Sequence, residues 1–510
     1  MERATGPQLI GYLASGILGV CALSAHAQPG VLWQRFLGGS MIDRANAIQQ
    51  TMDGGYVFAG RTYSNDGDVS GNHGGTGDAW VVKLDAQGFV VWQKCLGGSF
   101  GDEAHAIQQT SDWGYVIGAE TTSTDGDVQG SHGNNEGWLV RLNAQGDTLW
   151  TRCTGGSSLD AIYAIDGTNG QGTIAVGFTY SNDGDVWGYQ GANDGYVVKL
   201  DQYGALAWTT CWGGLAYDWI NAVRTTVDGG IITAGRSGSG PGHHGGDDFW
   251  VVRSDANGDT LWTRSLGGSG NDRATSIAQT MDGGFVVAGH SVSTDGDVHG
   301  NHGAFDVWVV RLDAAGDTLW TRCYGGSSFD HAYAIKQTQD LGFAIAGSTM
   351  SNDGDVSGNH GNDDGWVLKL DMNGTLEWQL CLGGTVDDRF NAIVETDVNT
   401  YVLAGEQGTE DDAWIVKLSA EGVGIAEAGA LRVSLHPNPT WNTVTVMFGT
   451  AQAPGNITIT SAAGQVVLTR NVVPGTDRCT IDLSDLARGL YLLEVEINGQ
   501  VRSVERVVKH

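Results

Sequence analysis

"WVVRLDAAGDTLWTRCYGGSSFDHAYAIKQTQDLGFAIAGSTMSNDGDVSGNHGNDDG", residues 308–365, holds four short β-rich runs. "WVVRLD" ends in the turn "AAGD", and "TLWTRCYG" follows it. "AYAIKQT" runs into "QDLG", and "GFAIAGST" leaves it. The runs alternate apolar and polar residues between Gly and Asp, as strands joined by tight turns do. No stretch between 30 and 418 has helical period with caps. Four antiparallel strands in 50–60 residues is the pattern of one propeller blade.

The unit recurs. Trp stands at 33, 92, 150, 208, 262, 320 and 378, at spacings of 59, 58, 58, 54, 58 and 58, and a Gly-Gly pair follows each. A fixed period of this length sets the architecture. Seven copies predict seven blades. The last copy stops after its third strand, "AWIVKLS" (413–419), while a fourth strand, "VLWQRFLGG", stands alone at 31–39. Joining the two completes a four-stranded blade and closes the ring. Because strands alternate in direction, the "GGS..D" and "DGDV" connections emerge on one face and the tight "DGG" and "AAGD" turns on the other. The face with long loops is where function is expected. The fold class read here is all-β: a seven-bladed β-propeller over 31–420, closed by an N-terminal strand.

The repeat resembles a bacterial β-propeller repeat family of extracytoplasmic proteins. The shared residues are "DAWVVKLDAQG" followed by "CLGGSFGDEAHAI". That resemblance implies the fold rather than an activity.

Composition changes near 419. Pro occurs once between 31 and 418, at Pro241, and four times between 437 and 474. Residues 421–430 read as a linker of small residues. Alternating strands over 431–510 predict a small β-sandwich. This segment resembles the type A sorting domain of the type IX secretion system. Its landmarks are Pro437-Asn438-Pro439, then Gly464 to Val467, then Leu486, Gly489 and Tyr491, and a basic end, "RVVKH". The resemblance implies that the type IX secretion machinery is a partner, and that the passenger is secreted or held at the cell surface.

The other end agrees. Arg3, the apolar stretch "LIGYLASGILGVCALSA" and "AHA" ending at Ala27 read as a cleaved signal peptide over 1–27. No other segment is long and apolar enough to span a bilayer. Formal net charge is −31, of which the middle of the chain carries −32. Such an acidic surface disfavours nucleic acid and anionic membranes as partners.

Several residue sets are candidates for chemistry. The Asp-Gly-Asp loops hold Asp66 and Asp68, Asp125 and Asp127, Asp183 and Asp185, Asp295 and Asp297, and Asp353 and Asp355. Hard oxygens in a Gly-bearing loop suit calcium, the one candidate cofactor. The competing expectation is that each Asp caps backbone N–H groups and each Gly permits positive φ. His73, His132, His302 and His360 end those loops, one per blade, and are expected to brace turns rather than converge on zinc. Cys95, Cys153, Cys211, Cys323 and Cys381 follow the fourth-strand Trp by three residues. They sit on different blades, too far apart for disulfides, and read as small buried residues. No nucleophile elbow, P-loop or H-E-x-x-H occurs.

The breaks in the repeat are more telling. The third copy has "DVWGYQG" where others have "DVSGNHG", which introduces Trp187, Tyr189 and Gln190. The next connection reads "WGGLAYDWINA", with Trp212, Tyr217 and Trp219. The fourth copy loses four residues and its Asp-Gly-Asp motif. Exposed rings beside a notch are expected there, suited to an extracellular glycan or protein; the bland alternative is rings packing on each other. The functional expectation is a non-catalytic binding or scaffold module. The alternative is a propeller enzyme acting on polysaccharide, which would need two carboxylates converging near the channel.

Overall fold

The computed structural model describes residues 28–168, 172–240, 242–408, 412–419, 433–436, 442–448, 455–461, 466–473, 478–497 and 500–509. The signal segment, the linker, Pro437-Asn438-Pro439, Gly464 and His510 lie outside them. The chain divides into two compact units, one ending at Val423 and the other beginning at Gly424.

The first unit is a propeller of seven four-stranded antiparallel sheets. Blades 1 to 6 span 43–96, 102–154, 160–212, 218–266, 272–324 and 330–382, with strands in chain order. Blade 7 takes three strands from 388–418 and its fourth from Val31–Leu37. That strand pairs antiparallel with Asp412–Leu418, Gln34 opposite Val416 and Leu37 opposite Ala413. The ring therefore closes as the split repeat predicts.

The third strand of most blades is buried along its whole length, because neighbouring blades cover both its faces. Its Trp residues at 80, 138, 308 and 366 are fully buried, with Tyr196 in the third copy. An indole N–H so placed needs an acceptor. In blades 1, 2, 4 and 6 the fourth strand supplies it thirteen residues on: Gln93 Oε1 for Trp80 at 3.0 Å, Thr151 Oγ1 for Trp138 at 2.6 Å, Thr263 Oγ1 for Trp250 at 3.0 Å and Gln379 Oε1 for Trp366 at 2.9 Å. The Trp308 N–H is buried without a partner. The five repeat-phased cysteines are buried and free, and burial pushes their thiols up to about 12.

The first strands line a central channel, which all seven blades contribute to. Each carries a β-bulge at its fourth residue: Asn46, His105, Tyr163, Asn221, Thr275, Tyr333 and Asn391. A bulge re-aims the extra side chain. Where that residue is Asn or Thr, it bonds a carbonyl of the next blade. Asn221 donates to Ala274 O at 2.8 Å, Thr275 to Ala332 O at 2.8 Å, and Asn391 to Ala45 O at 3.1 Å across the closure.

The second unit has a three-stranded sheet (Val433–His436, Thr443–Phe448, Arg478–Asp482) and a four-stranded one (Val466–Val472, Gly455–Ser461, Gly489–Ile497, Gln500–Lys509). One buried cluster takes Val444, Val446 and Ile481 from the first sheet and Ile457, Leu493 and Val507 from the second. Tyr491 OH donates to Ala487 O at 2.7 Å, and Lys509 Nζ to the carbonyls of Leu483, Ser484 and Leu486. The basic end of the chain thus ties down the turn that holds Leu486.

Candidate binding sites on the loop face

The Asp-Gly-Asp loops are built from the inside. Their Val residues, Val69, Val128, Val186, Val298 and Val356, are buried in the blade cores. The middle Gly has φ of 63–65° in all five. A Cβ on Gly67 would stand 2.3 Å from Gly38 O, so the position admits only glycine. The first Asp accepts the backbone N–H of the Ser in the adjoining Gly-Gly-Ser segment. Asp66 takes Ser40, Asp125 takes Ser99, Asp183 takes Ser157, Asp295 takes Ser269 and Asp353 takes Ser327, at 2.7–2.8 Å. These bonds hold each carboxyl below the usual range. The second Asp accepts a Gly N–H on the same segment: Asp68 from Gly38 at 3.5 Å, Asp127 from Gly97, Asp297 from Gly267 and Asp355 from Gly325 at 3.2–3.3 Å. Asp185 instead pairs with Arg152 at 3.2 Å. Among the described residues, no group of three or more His, Cys, Asp or Glu is arranged to hold a metal.

The loop histidines brace the same loops. Nδ1 of His73, His132, His302 and His360 meets Asp78, Glu136, Asp306 and Asp364 at 2.6, 3.0, 2.7 and 2.7 Å. Each acid opens the third strand of its blade and is fully buried.

The third copy departs from this plan. Gln190 stands in the histidine's place, and only its backbone N–H reaches Asp194, at 2.6 Å. Asp194 keeps one carboxylate oxygen buried without a partner, as Asp78, Asp248, Asp306 and Asp364 do in their own blades. Burial first, and nearby Asp218 second, push its carboxyl up to about 6.

The six sequence-predicted residues fall into three environments. Trp187 is 75% exposed and Tyr217 55% exposed. Gln190 and Trp212 line a cavity of about 240 Å³ with Ser237, Ser239 and Trp250. The connection of residues 238–247 beside it is ten residues long, against fourteen for 180–193. Trp187 adjoins this cavity, since its carbonyl accepts the N–H of Cys211, a lining residue, at 2.9 Å. Tyr189 is half-buried, with its OH on Ala192 O at 2.9 Å. Trp219 is half-buried rather than exposed. It stacks on Phe178 at 4.4 Å and lies 4.2 Å beneath the Arg236 guanidinium. The reason is its position: the second residue of a first strand faces the channel mouth, where Phe178 from the adjacent blade meets it.

That mouth is a second candidate surface, and sequence reasoning passed over it. Its variable positions are Arg44, Glu103, Ala161, Trp219, Arg273, His331 and Arg389, each following the Asp that opens a first strand. Most charges there are paired. Asp247 takes Arg236 and Arg273, both at 3.0 Å; Glu406 takes Arg44 at 2.6 Å and Arg389 at 2.7 Å; Glu103 takes Arg61 at 3.0 Å. The detectable signal was one varied column within an otherwise repeated unit.

Residues 434–510 match the secretion system C-terminal sorting domain family. The tail is such a domain, so the chain is a β-propeller exported to the cell surface or secreted by the type IX route. A 157-residue stretch is 33% identical to the regulatory protein FlaEY of Caulobacter vibrioides, covering 29% of this chain and 16% of that relative's length. Among solved structures, the Pan2 WD40 domain of Neurospora crassa aligns with 76% of this chain and 92% of its own, at 10% identity and a TM-score of 0.44. YCF48 bound to D1 peptide aligns with 79% and 100%, at 9% identity and 0.43.

Proposed function

We propose that the propeller is a non-catalytic binding module that the sorting domain delivers to the cell surface, and that it binds an extracellular glycan at blades 3 and 4. The observation that carries this is the pairing of exposed rings with a lined cavity. Trp187 and Tyr217 stand at the loop face, and Gln190 supplies a hydrogen-bonding side chain and Trp212 an indole edge beside them. Flat apolar rings with convergent polar groups suit the alternating faces of a sugar. Blades with the regular loop place Ser, Gln or His where Trp187 stands.

The enzyme reading has the raised Asp194 carboxyl beside Asp218 in its favour. Both acids are fully buried. The same pairing over a Gly recurs as Asp248 with Asp272, Asp306 with Asp330 and Asp364 with Asp388. A pair repeated around the ring belongs to blade construction, which favours binding over hydrolysis. The test is a glycan and peptide array with the secreted protein, followed by affinity for any hit in Trp187→Ala. A loss of about 1–3 kcal/mol supports the site. Unchanged affinity, or release of shortened saccharide from a polysaccharide, rejects it.

A further inference from the structure

The end of the channel nearest the tight turns is unlike the mouth. Lys336 and Arg224 both line the lumen, one residue before the last of their respective first strands. The equivalent residues of blades 1, 2, 5 and 7 are Gln49, Gln108, Ala278 and Val394, all neutral. Asp166 of blade 3 is the acid at this level; its oxygens take neutral donors and form no ion pair, so its single charge offsets one of the two cations at most. Oδ1 accepts Gln108 Nε2 at 2.9 Å and Gly167 N at 3.1 Å, and Oδ2 accepts Thr225 N at 2.6 Å. Arg224 gives one N–H to Val223 O at 2.7 Å and keeps others of its five donors for the lumen. At the mouth, by contrast, five arginines share Glu103, Asp247 and Glu406. No ion pair with Lys336 or Arg224 is formed among the described residues.

Two neighbouring cations without a bonded counter-ion repel each other, and an anion between them relieves that repulsion. The chain as a whole carries −31, so two cations gathered in one lumen stand against the general trend. The channel cavity holds about 290 Å³, room for a small anion with its water. We propose that Arg224 and Lys336 form a binding site for a small oxyanion, a carboxylate or a sulfate- or phosphate-type group, at the tight-turn end of the channel. The guanidinium offers a planar fork to two oxygens and the ammonium a point charge opposite.

The site carries its own pH signature. Arg224 first, and burial second, hold the Lys336 ammonium down to about 7. The other titratable groups facing the lumen are Asp166, His105, Tyr163 and Tyr333. The blade 1 and blade 5 strands contribute neutral residues, and Glu395 of blade 7 is turned onto the N–H groups of Gln339 and Asn399. An anion needs the protonated ammonium, so affinity falls as pH rises through the lysine's value.

The experiment is calorimetric titration of the full chain with sodium sulfate and, separately, sodium acetate, at ionic strength fixed with chloride. Both anions keep their charge between about pH 6 and about pH 9, so a pH effect belongs to the protein. Saturable binding at least about tenfold tighter at the lower pH is expected. Lys336→Met and Arg224→Met abolish it, while Lys336→Arg binds with the pH dependence removed. Sulfate alone binding assigns a sulfate or phosphate ester, acetate alone a carboxylate, and both together a general oxyanion site. No saturable binding of either, or binding that Lys336→Met and Lys336→Arg leave unchanged, overturns the proposal.

Discussion

Blade 1 carries the loop "SNDGDVSGNHG" at 64–74, and blade 3 spells the same place "SNDGDVWGYQG" at 181–191. The first half of the two loops is one structure: the Asp-to-Ser bond, the Gly at positive φ and the buried Val are common to both. The second half is not. In blade 1, Asn72 donates to Ser64 O at 2.9 Å and His73 reaches Asp78. In blade 3, Trp187 points to solvent, and no side chain takes the histidine's place on Asp194, which only the Gln190 backbone N–H reaches. Repeated residues build the loop, and its departures are released from that duty. Function is therefore sought where the loop has lost bonds of its own.

The comparison presumes one closed ring, and breaking the ring gives the largest expected effect. Deleting residues 28–37 removes the outer strand of blade 7 and uncovers Trp414, which is 3% exposed and stacks against Phe36. The strand Asp412–Leu418 is then left as an unpaired edge in place of the deleted one. Circular dichroism should show loss of the cooperative transition, or a fall in Tm of more than about 10 °C. An unchanged melt would mean that blade 7 stands without its fourth strand.

The next test separates two rings within the irregular region. Trp219→Ala removes a ring stacked on Phe178 and capped by Arg236, and should cost about 2–3 kcal/mol of stability with glycan binding retained. Trp187→Ala removes a ring in solvent, and should cost less than about 0.5 kcal/mol of stability. Equal costs in denaturant melts would erase the distinction between the mouth and the loop face.

How far the sequence reaches follows from the same pair. Blade number and closure were legible because a Trp and a Gly-Gly pair recur at one spacing, and because the unpaired strand at 31–39 had a single vacancy to fill. The sorting tail was legible from Leu486, Gly489 and Tyr491 in their order. The destination of Trp219 was not legible. Its column holds mostly polar residues, yet its neighbour Phe178 is 41 positions away and belongs to another blade. The bulges at Asn46 and its six equivalents left no mark in the hydrophobic pattern either, since a bulge shifts register by one residue inside a strand that reads as regular.

A smaller effect concerns the missing histidine. Asp194 is raised to about 6, against an ordinary value near 3.8, chiefly by burial and then by Asp218. A carboxyl raised in the folded state adds stability in acid and loses it as pH climbs through the folded value. Asp194→Asn should therefore stabilise the propeller by about 1–2 kcal/mol near pH 8 and by little near pH 4. Asp364 in blade 6 keeps His360 as a partner at 2.7 Å, so Asp364→Asn should gain less. Denaturant melts at the two pH values check both; a larger gain at Asp364 would remove the histidine from the explanation.

The smallest expected effect is none at all, and it tests what the regular half of the loop is for. If the Asp-Gly-Asp segments held calcium, the first Asp would turn its oxygens toward an ion with several other oxygen ligands. Each instead spends Oδ1 on a Ser N–H, four of the five second Asp residues reach a Gly N–H, and Asp185 pairs with Arg152. The Gly between them is pressed against a carbonyl at 2.3–2.4 Å from its absent Cβ, so the loop has no slack to rearrange around an ion. We propose that these loops are self-sufficient turns. Chelation should leave Tm unchanged, and added calcium should not raise it, since a ligand that binds the folded state always shifts the melt by mass action. A drop in Tm on chelation that calcium restores would show an ion at these loops. The bonds in the repeated half would then be those of an empty site rather than of a finished turn.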